Sequence, residues 1–253
     1  MSAKVQPHLK VKLGDLAPYC LLAGDPGRVD RIASNFLKEA KEVARYRGFV
    51  VHTGTYKEVP VSAASTGIGT PSACIVVEEL ARVGVTTMIR VGTCGSMQAH
   101  IDQGDIVIAT AATRTDGATR AYAPVECPAV ADMEVTSALA KMAEDLGLKY
   151  YLGPVFTSDA FYAEDTEFAS RWGAMGVLAV EMECSGIFLL GGLRRLRTGA
   201  ILAVDGNLVK GRHKDEFEEG KENGEVHPLV RVAVDDEIRV ALEAIKSLEG
   251  GKR

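Results

Sequence analysis

Five short stretches of this chain bring charged or hydroxyl side chains to glycine-rich turns or to the ends of apolar runs. In Gly24-Asp25-Pro26-Gly27-Arg28 an apolar run gives way to a helix start, with Asp25 as cap and Pro26 at the first helical position. A helix N-terminus offers unpaired N–H groups and a partial positive charge, which suits an anion. Arg28 adds a forked pair of donors. The same residues also make a sound turn with no ligand, and Asp25 opposes an anion unless it is turned away as the cap. In Arg90-Val91-Gly92-Thr93-Cys94-Gly95-Ser96, Arg90 stands near the end of an apolar strand, Thr86 to Val91. A guanidinium there must meet solvent, an anion or a structural carboxylate, because burying it unpaired is costly. Thr93 and Ser96 add hydroxyls at the carboxyl edge of the sheet, where open α/β folds bind ligands.

Val180-Glu181-Met182-Glu183 joins a short strand to a helix start. Two acids there either answer the helix dipole or hold sugar hydroxyls. Asp205 directly follows the apolar strand Ile201-Leu202-Ala203-Val204. It either opens a turn with Gly206 and Asn207 or acts as a general acid, if burial raises its pKa. Ser65-Thr66-Gly67-Ile68-Gly69-Thr70-Pro71-Ser72 is a glycine loop between strand and helix. Ser72 occupies the place of the third glycine of a dinucleotide fingerprint, and no Gly-Lys-Ser/Thr follows, so neither nucleotide motif applies. The spacings of His8, His52, His100, His213 and His227 match no paired-ligand pattern, so no metal is expected. No GxSxG elbow supports a hydrolase triad.

The elements that must position these residues alternate in type. Strands are predicted over Tyr19 to Ala23, 48–56, 59–66, Thr86 to Val91, Asp105 to Ala111, Tyr151 to Phe156, Gly176 to Val180 and Thr198 to Val204. Helices are predicted after Asp25, over Thr70 to Val83, from Asp132 to Gly147, over Met182 to Leu193 and over about 229–248. Val135, Leu139, Met142 and Leu146 mark the buried face of the third of these. The pattern gives one α/β domain over residues 1–253, a largely parallel or mixed sheet with helices on both faces. The paired strands at 48–66 break the rhythm a TIM barrel needs. Asn207 to His227 is charged and glycine-rich, either a solvated loop or a lid over a site.

Composition narrows the class. Apolar residues at 47% and charged residues at 25% are ordinary for a globular chain, and a net charge of -5 argues against a broad nucleic-acid footprint. Five cysteines with no CxxC pair point to a reducing compartment rather than a disulfide framework. The N-terminus lacks the apolar core of a signal peptide, and no apolar run is long enough to span a bilayer, so a cytoplasmic location is expected.

Taken in order, these motifs resemble the nucleoside phosphorylase-I family. Ser65-x-Gly67-Ile68-Gly69-x-Pro71-Ser72-x-Cys74-Ile75-x-x-x-Glu79-Leu80 is similar to its signature, with Cys74 where Gly, Ser, Thr or Ala is usual. Gly-Asp-Pro-x-Arg, Arg-x-Gly-Thr-Cys-Gly and Glu-Met-Glu follow in the family's order, and the likeness runs from His8 to the last helix. The resemblance implies reversible phosphorolysis of a nucleoside to free base and ribose 1-phosphate, with inorganic phosphate as co-substrate and no other cofactor. It implies phosphate binding by Gly24, Arg28, Arg90 and Thr93, and by Arg47 lent from a neighbouring subunit. It places Met182 and Glu183 on the ribose, His8 of a neighbour on the 5′-hydroxyl, Phe161 against the nucleoside and Asp205 at purine N7. The implied assembly is a homohexamer, a trimer of dimers, without nucleic-acid or membrane partners.

Purine nucleosides, with inosine and guanosine first, are the expected substrates. The uridine branch carries a Gln and an Arg shortly after its Phe-Tyr pair, and Phe161-Tyr162-Ala163-Glu164-Asp165-Thr166-Glu167 has neither. The purine branch has an Asp where Asp205 stands, commonly after Ser, whereas Val204 precedes it here; Arg212 is a candidate to assist it. Uridine phosphorylase is the alternative, followed by methylthioadenosine phosphorylase. Nucleosidases, which use water, lack the Gly-Asp-Pro-x-Arg loop and the strand arginine. A catalytically silent nucleoside-binding protein is expected to have lost a phosphate arginine, Glu183 or the acid, and all are retained.

Overall fold

The computed structural model describes residues 4–163, 166–211 and 227–251. In chain order the elements are β1 (Tyr19–Ala23), α1 (Pro26–Phe36), β2 (Lys38–Tyr46), β3 (Phe49–Tyr56), β4 (Val59–Ser65) and α2 (Thr70–Arg82). There follow β5 (Thr87–Ser96), β6 (Ile106–Arg114), α3 (Gly117–Tyr122), β7 (Ala129–Val130), α4 (Met133–Asp145) and β8 (Tyr150–Thr157). The chain continues through α5 (Thr166–Ala174), β9 (Ala179–Glu181), α6 (Cys184–Arg194), β10 (Arg197–Asn207) and α7 (Pro228–Gly250). Neither Arg212 nor most of the charged segment proposed as a loop or lid lies within the described residues.

β5 is the hub of a mixed sheet. On one side it pairs in parallel with β10. On the other it pairs with β1 through its first half and with β9 at Gly95 and Ser96. β10 runs antiparallel to β6, β6 parallel to β8, and β8 parallel to β9, which returns to β5. These five strands therefore close a ring, while β1, β4, β3 and β2 extend from it as an open wing. Side chains alternate across the pleat. Cys20 and Leu22 of β1 pack in the core shared with α2 and α6, whereas Tyr19, Leu21 and Ala23 pack with α1, α4 and α7. The mixed sheet with helices on both faces is the architecture the sequence predicts.

The differences are physical. β2 has the sequence KEAKEVARY, with no apolar alternation, and is mostly exposed. It is an edge strand, where charged residues deter pairing with other chains, so nothing in its pattern announces a strand. β5 does not end at Val91 but runs on to Ser96, which makes Arg90 its fourth residue rather than a terminal one. β10 likewise continues past Val204 to Asn207 and takes Asp205 inside the strand. β9 is confined to Ala179–Glu181, later than predicted. In α4, Ala143 rather than Leu146 completes the buried face, and Leu146 is exposed.

α6 is anchored from the side by Asp116, the cap of α3. This carboxylate accepts the Thr119 amide and hydroxyl and the Ser185 hydroxyl, at 2.7, 2.6 and 2.7 Å. Burial opposes its charge, but these bonds and Thr70 outweigh it and hold the carboxyl below its ordinary pKa. Asp116→Ala leaves those donors buried without an acceptor. Removing such an acceptor costs about 1–3 kcal/mol, so the urea midpoint of Asp116→Ala should fall accordingly. An unchanged midpoint would show that α6 is held by packing alone.

Candidate active site

The pleat puts Arg90 on the same face of β5 as Met88, toward α2 and α6, where hydrocarbon would ordinarily sit. Arg90 is 4% exposed. Its Nε donates to Glu181 Oε2 at 3.1 Å, and its Nη2 lies 2.6 Å from Glu183 Oε2. Burial works against the charge, but Glu183 and Glu181 outweigh it and hold the guanidinium protonated above its ordinary pKa. Gly92 makes the room. A Cβ there would lie 2.7 Å from Arg90 Cζ and 2.9 Å from both terminal nitrogens.

The two glutamates divide their work. Glu181 accepts the Thr157 hydroxyl at 2.6 Å and the Glu183 and Cys184 amides, besides Arg90. It thus caps α6 and braces Arg90 at once. Glu183 occupies the N-cap position of α6 without a capping bond from its own side chain. Its Oε1 instead accepts the Gly69 amide at 2.7 Å, which fastens the glycine loop to the arginine. Gly67 and Gly69 have φ of 67° and 87°, conformations that favour glycine. The loop's other end is held by the Thr66 amide, which donates to Ala23 O at 2.7 Å. Gly24 follows Ala23, and a Cβ on it would come within 3.3 Å of Gly67 O.

Asp25 is turned onto its helix, accepting the Gly27 and Arg28 amides at 2.8 and 3.1 Å, so its charge is spent on the cap. Arg28 crosses to β5, donating from Nη1 to Val91 O and to Glu237 Oε1, both at 3.1 Å. Glu237 is fully buried on α7. Burial pushes its carboxyl up to about 8 against the pull of Arg28 and Arg90. Thr93 pairs with Ala203 of β10, and two residues further the ladder is broken by a bulge at Asp205, between Val204 and Gly206. A bulge re-aims the side chain it carries. Met182 is half-buried between the glutamates. Cys94 and Cys184 have thiols driven well above their ordinary pKa, first by burial and then by the carboxylates nearby.

Gly24, Arg28, Arg90, Thr93, Met182, Glu183 and Asp205 thus stand on or beside elements that meet around β5. Three predicted residues have a different setting. His8 is held by Glu79 of α2: its ring Nδ1 lies 2.7 Å from Oε1, and the His8 and Leu9 amides donate to the same carboxylate. Arg47 is exposed at the turn between β2 and β3, with φ 54°, and makes no ion pair among the described residues. Phe161 is 40% exposed in a single 3-10 turn, its ring edge-on to Tyr162. Sequence reasoning missed Glu237, whose signal is an acid on the apolar stripe of α7 between Ala233 and Ala241. It also missed that His52 groups with Asp30 and Glu42, where Arg45 already spans both carboxylates.

With this geometry in view, comparison with known proteins is specific. A profile of the phosphorylase superfamily matches residues 18–243. The chain belongs to the phosphorylase superfamily. It is 42% identical over 243 residues to a guanosine phosphorylase of Halorubrum lacusprofundi, covering 96% of this chain and 99% of that protein. It is 43% identical over 258 residues to a uridine phosphorylase of Treponema pallidum, covering 98% and 95%. The crystal structure of a uridine phosphorylase from Vibrio fischeri superposes with a TM-score of 0.88 at 31% identity, covering 98% of this chain and 99% of that one. These phosphorylases are pentosyltransferases, and the chain is an enzyme of that class.

Gly92→Ala drives a methyl group into the Arg90 guanidinium. Overpacking of this kind costs about 1–3 kcal/mol, which the melting temperature of the variant should report as a drop of several degrees. An unaltered melting temperature would mean that the guanidinium has space to retreat.

Proposed function

We propose that the chain is a nucleoside phosphorylase that cleaves purine nucleosides, inosine and guanosine first, to free base and ribose 1-phosphate. The observation that carries this reading is the contact of Arg90 with Glu183, at 2.6 Å. A guanidinium suited to an anion and a carboxylate suited to sugar hydroxyls are held in one buried frame, with a second arginine, Arg28, across β5.

In this reading phosphate lies against Gly24, Arg28, Arg90 and Thr93. Arg90 gives two of its nitrogens to Glu181 and Glu183, so Nη1 remains for the anion. Glu183 and Met182 hold the ribose. As the glycosidic bond breaks, its electron pair leaves with the base and positive charge builds on the sugar. The phosphate stabilises that charge and then bonds to the anomeric carbon. The arginines supply position and field, already set before the reaction. Asp205 hydrogen-bonds or protonates N7 of the leaving purine. The reaction needs no cofactor beyond inorganic phosphate as co-substrate.

Arg47 and His8 complete the site from neighbouring copies in a hexamer built as a trimer of dimers, working in the cytoplasm. The exposure of Arg47 and the grip of Glu79 on His8 support that assignment. Among the described residues no helix is long and apolar enough to cross a membrane. A uridine phosphorylase is the second reading, favoured by the names of the Treponema and Vibrio proteins. The Phe161 to Glu167 stretch, without a Gln or Arg to read uracil, weighs against it.

Base release from inosine, guanosine, adenosine and uridine, each with and without phosphate, tests the proposal. Phosphate-dependent release from purine nucleosides is expected, and Asp205→Asn should cut it by about 100-fold or more, in line with general acid–base contributions, with little change in KM for phosphate. Release from uridine alone would replace the purine reading, and release without phosphate would remove phosphorolysis.

A further inference from the structure

Glu237 is a carboxylate with no place in the reaction just described, yet it is buried without exposure in the face that α7 turns to the sheet. Burying a carboxylate is unfavourable unless it is paired and hydrogen-bonded, so a hydrophobic side chain would serve α7 better if packing were its only task. Both oxygens are engaged. Oε1 accepts Arg28 Nη1 at 3.1 Å, and Oε2 accepts the Ala203 amide of β10 at 2.9 Å.

We propose that Glu237 is a positioning residue of the phosphate site, setting the Arg28 guanidinium against β5 and tying it to the strand that carries Asp205. This rests on the reading of Arg28 as a phosphate ligand. A guanidinium has five N–H donors in a fixed plane. The two on Nη1 go to Val91 O and Glu237, one from each neighbouring element. With that nitrogen pinned at two points, the plane of the fork is set, and Nε and Nη2 are left for an anion. Arg28 is long and flexible, and an arginine fixed beforehand loses less freedom when it binds. The Ala203 bond carries the same constraint to β10, two residues before the bulge at Asp205. The phosphate arginine and the acid at the base end are thereby referred to one fixed carboxylate. The charged groups that act on Glu237 are Arg28 from α1, Arg90 from β5 and Asp205 from β10.

The test is a double-mutant cycle on steady-state kinetics, with Glu237→Gln, Arg28→Ala and the pair. Glutamine has one acceptor where glutamate has two, so it serves Arg28 or Ala203 but not both. Glu237→Gln should raise KM for phosphate about tenfold while KM for the nucleoside stays within about twofold, and it should add nothing further once Arg28 is alanine. A carboxylate that only docks α7 would give an effect that adds to Arg28→Ala and falls on kcat and both KM values. That result, or an unchanged KM for phosphate, overturns the proposal. If Arg28→Ala itself leaves KM for phosphate unchanged, the fault lies in the assignment of the phosphate site. Glu237→Asp keeps the carboxyl group but draws it back by one methylene, and the same cycle is read with it if Glu237→Gln does not fold.

Discussion

A guanidinium held in a closed sheet between two carboxylates is the constraint on which this molecule turns. Arg90 stands on the face of β5 that meets α2 and α6. It is tolerated there because Glu181 and Glu183 neutralise it and Gly92 leaves it a floor. Each of those partners has further obligations. Glu181 caps α6 and accepts Thr157 at the end of β8, and Glu183 reaches the amide of Gly69 at the entrance to α2. The arginine is therefore the joint between four segments that lie far apart in the chain. A buried pair of this kind is weak evidence for stability, because desolvation offsets most of its attraction. Its presence fits a requirement for charge at this point.

The same economy runs through the second arginine. Asp25 spends its charge on the start of α1 and so does not oppose an anion there. Arg28, in the first turn of that helix, crosses to β5 and meets Glu237 on α7. The two arginines are thus each hydrogen-bonded to glutamate, and each keeps part of its fork unspent. Positive charge is held ready without being left bare, as the proposed phosphate site requires.

Much of this was legible in the sequence, and the parts that were not share a cause. Local rules found the Asp25 cap, the Asp132 cap and the hairpin of β3 and β4, because each is decided within a few residues. The candidate residues after β1, on α1, β5 and β10 and before α6 were identified by their position at the ends of apolar runs and, taken together, by their order. The longer reach of β5 and β10 was not visible, since Gly92 to Ser96 and Asp205 to Asn207 read as turns and become strand only when paired with each other. The bulge that re-aims Asp205 belongs to that pairing. Glu237 was hidden because acids on a surface helix are ordinary, and only the fold turns this one inward. β2 was hidden because edge strands are charged by necessity.

The central claim is that Arg90, fixed by Glu181 and Glu183, binds inorganic phosphate. Calorimetric titration of phosphate into the wild type and Arg90→Lys tests it most directly. Lysine keeps the charge but lacks the planar fork, so it cannot serve two carboxylates and an anion together. Saturable binding to the wild type, weakened at least about tenfold in a folded Arg90→Lys protein, is the result this account predicts; equal affinity in the two proteins would contradict it.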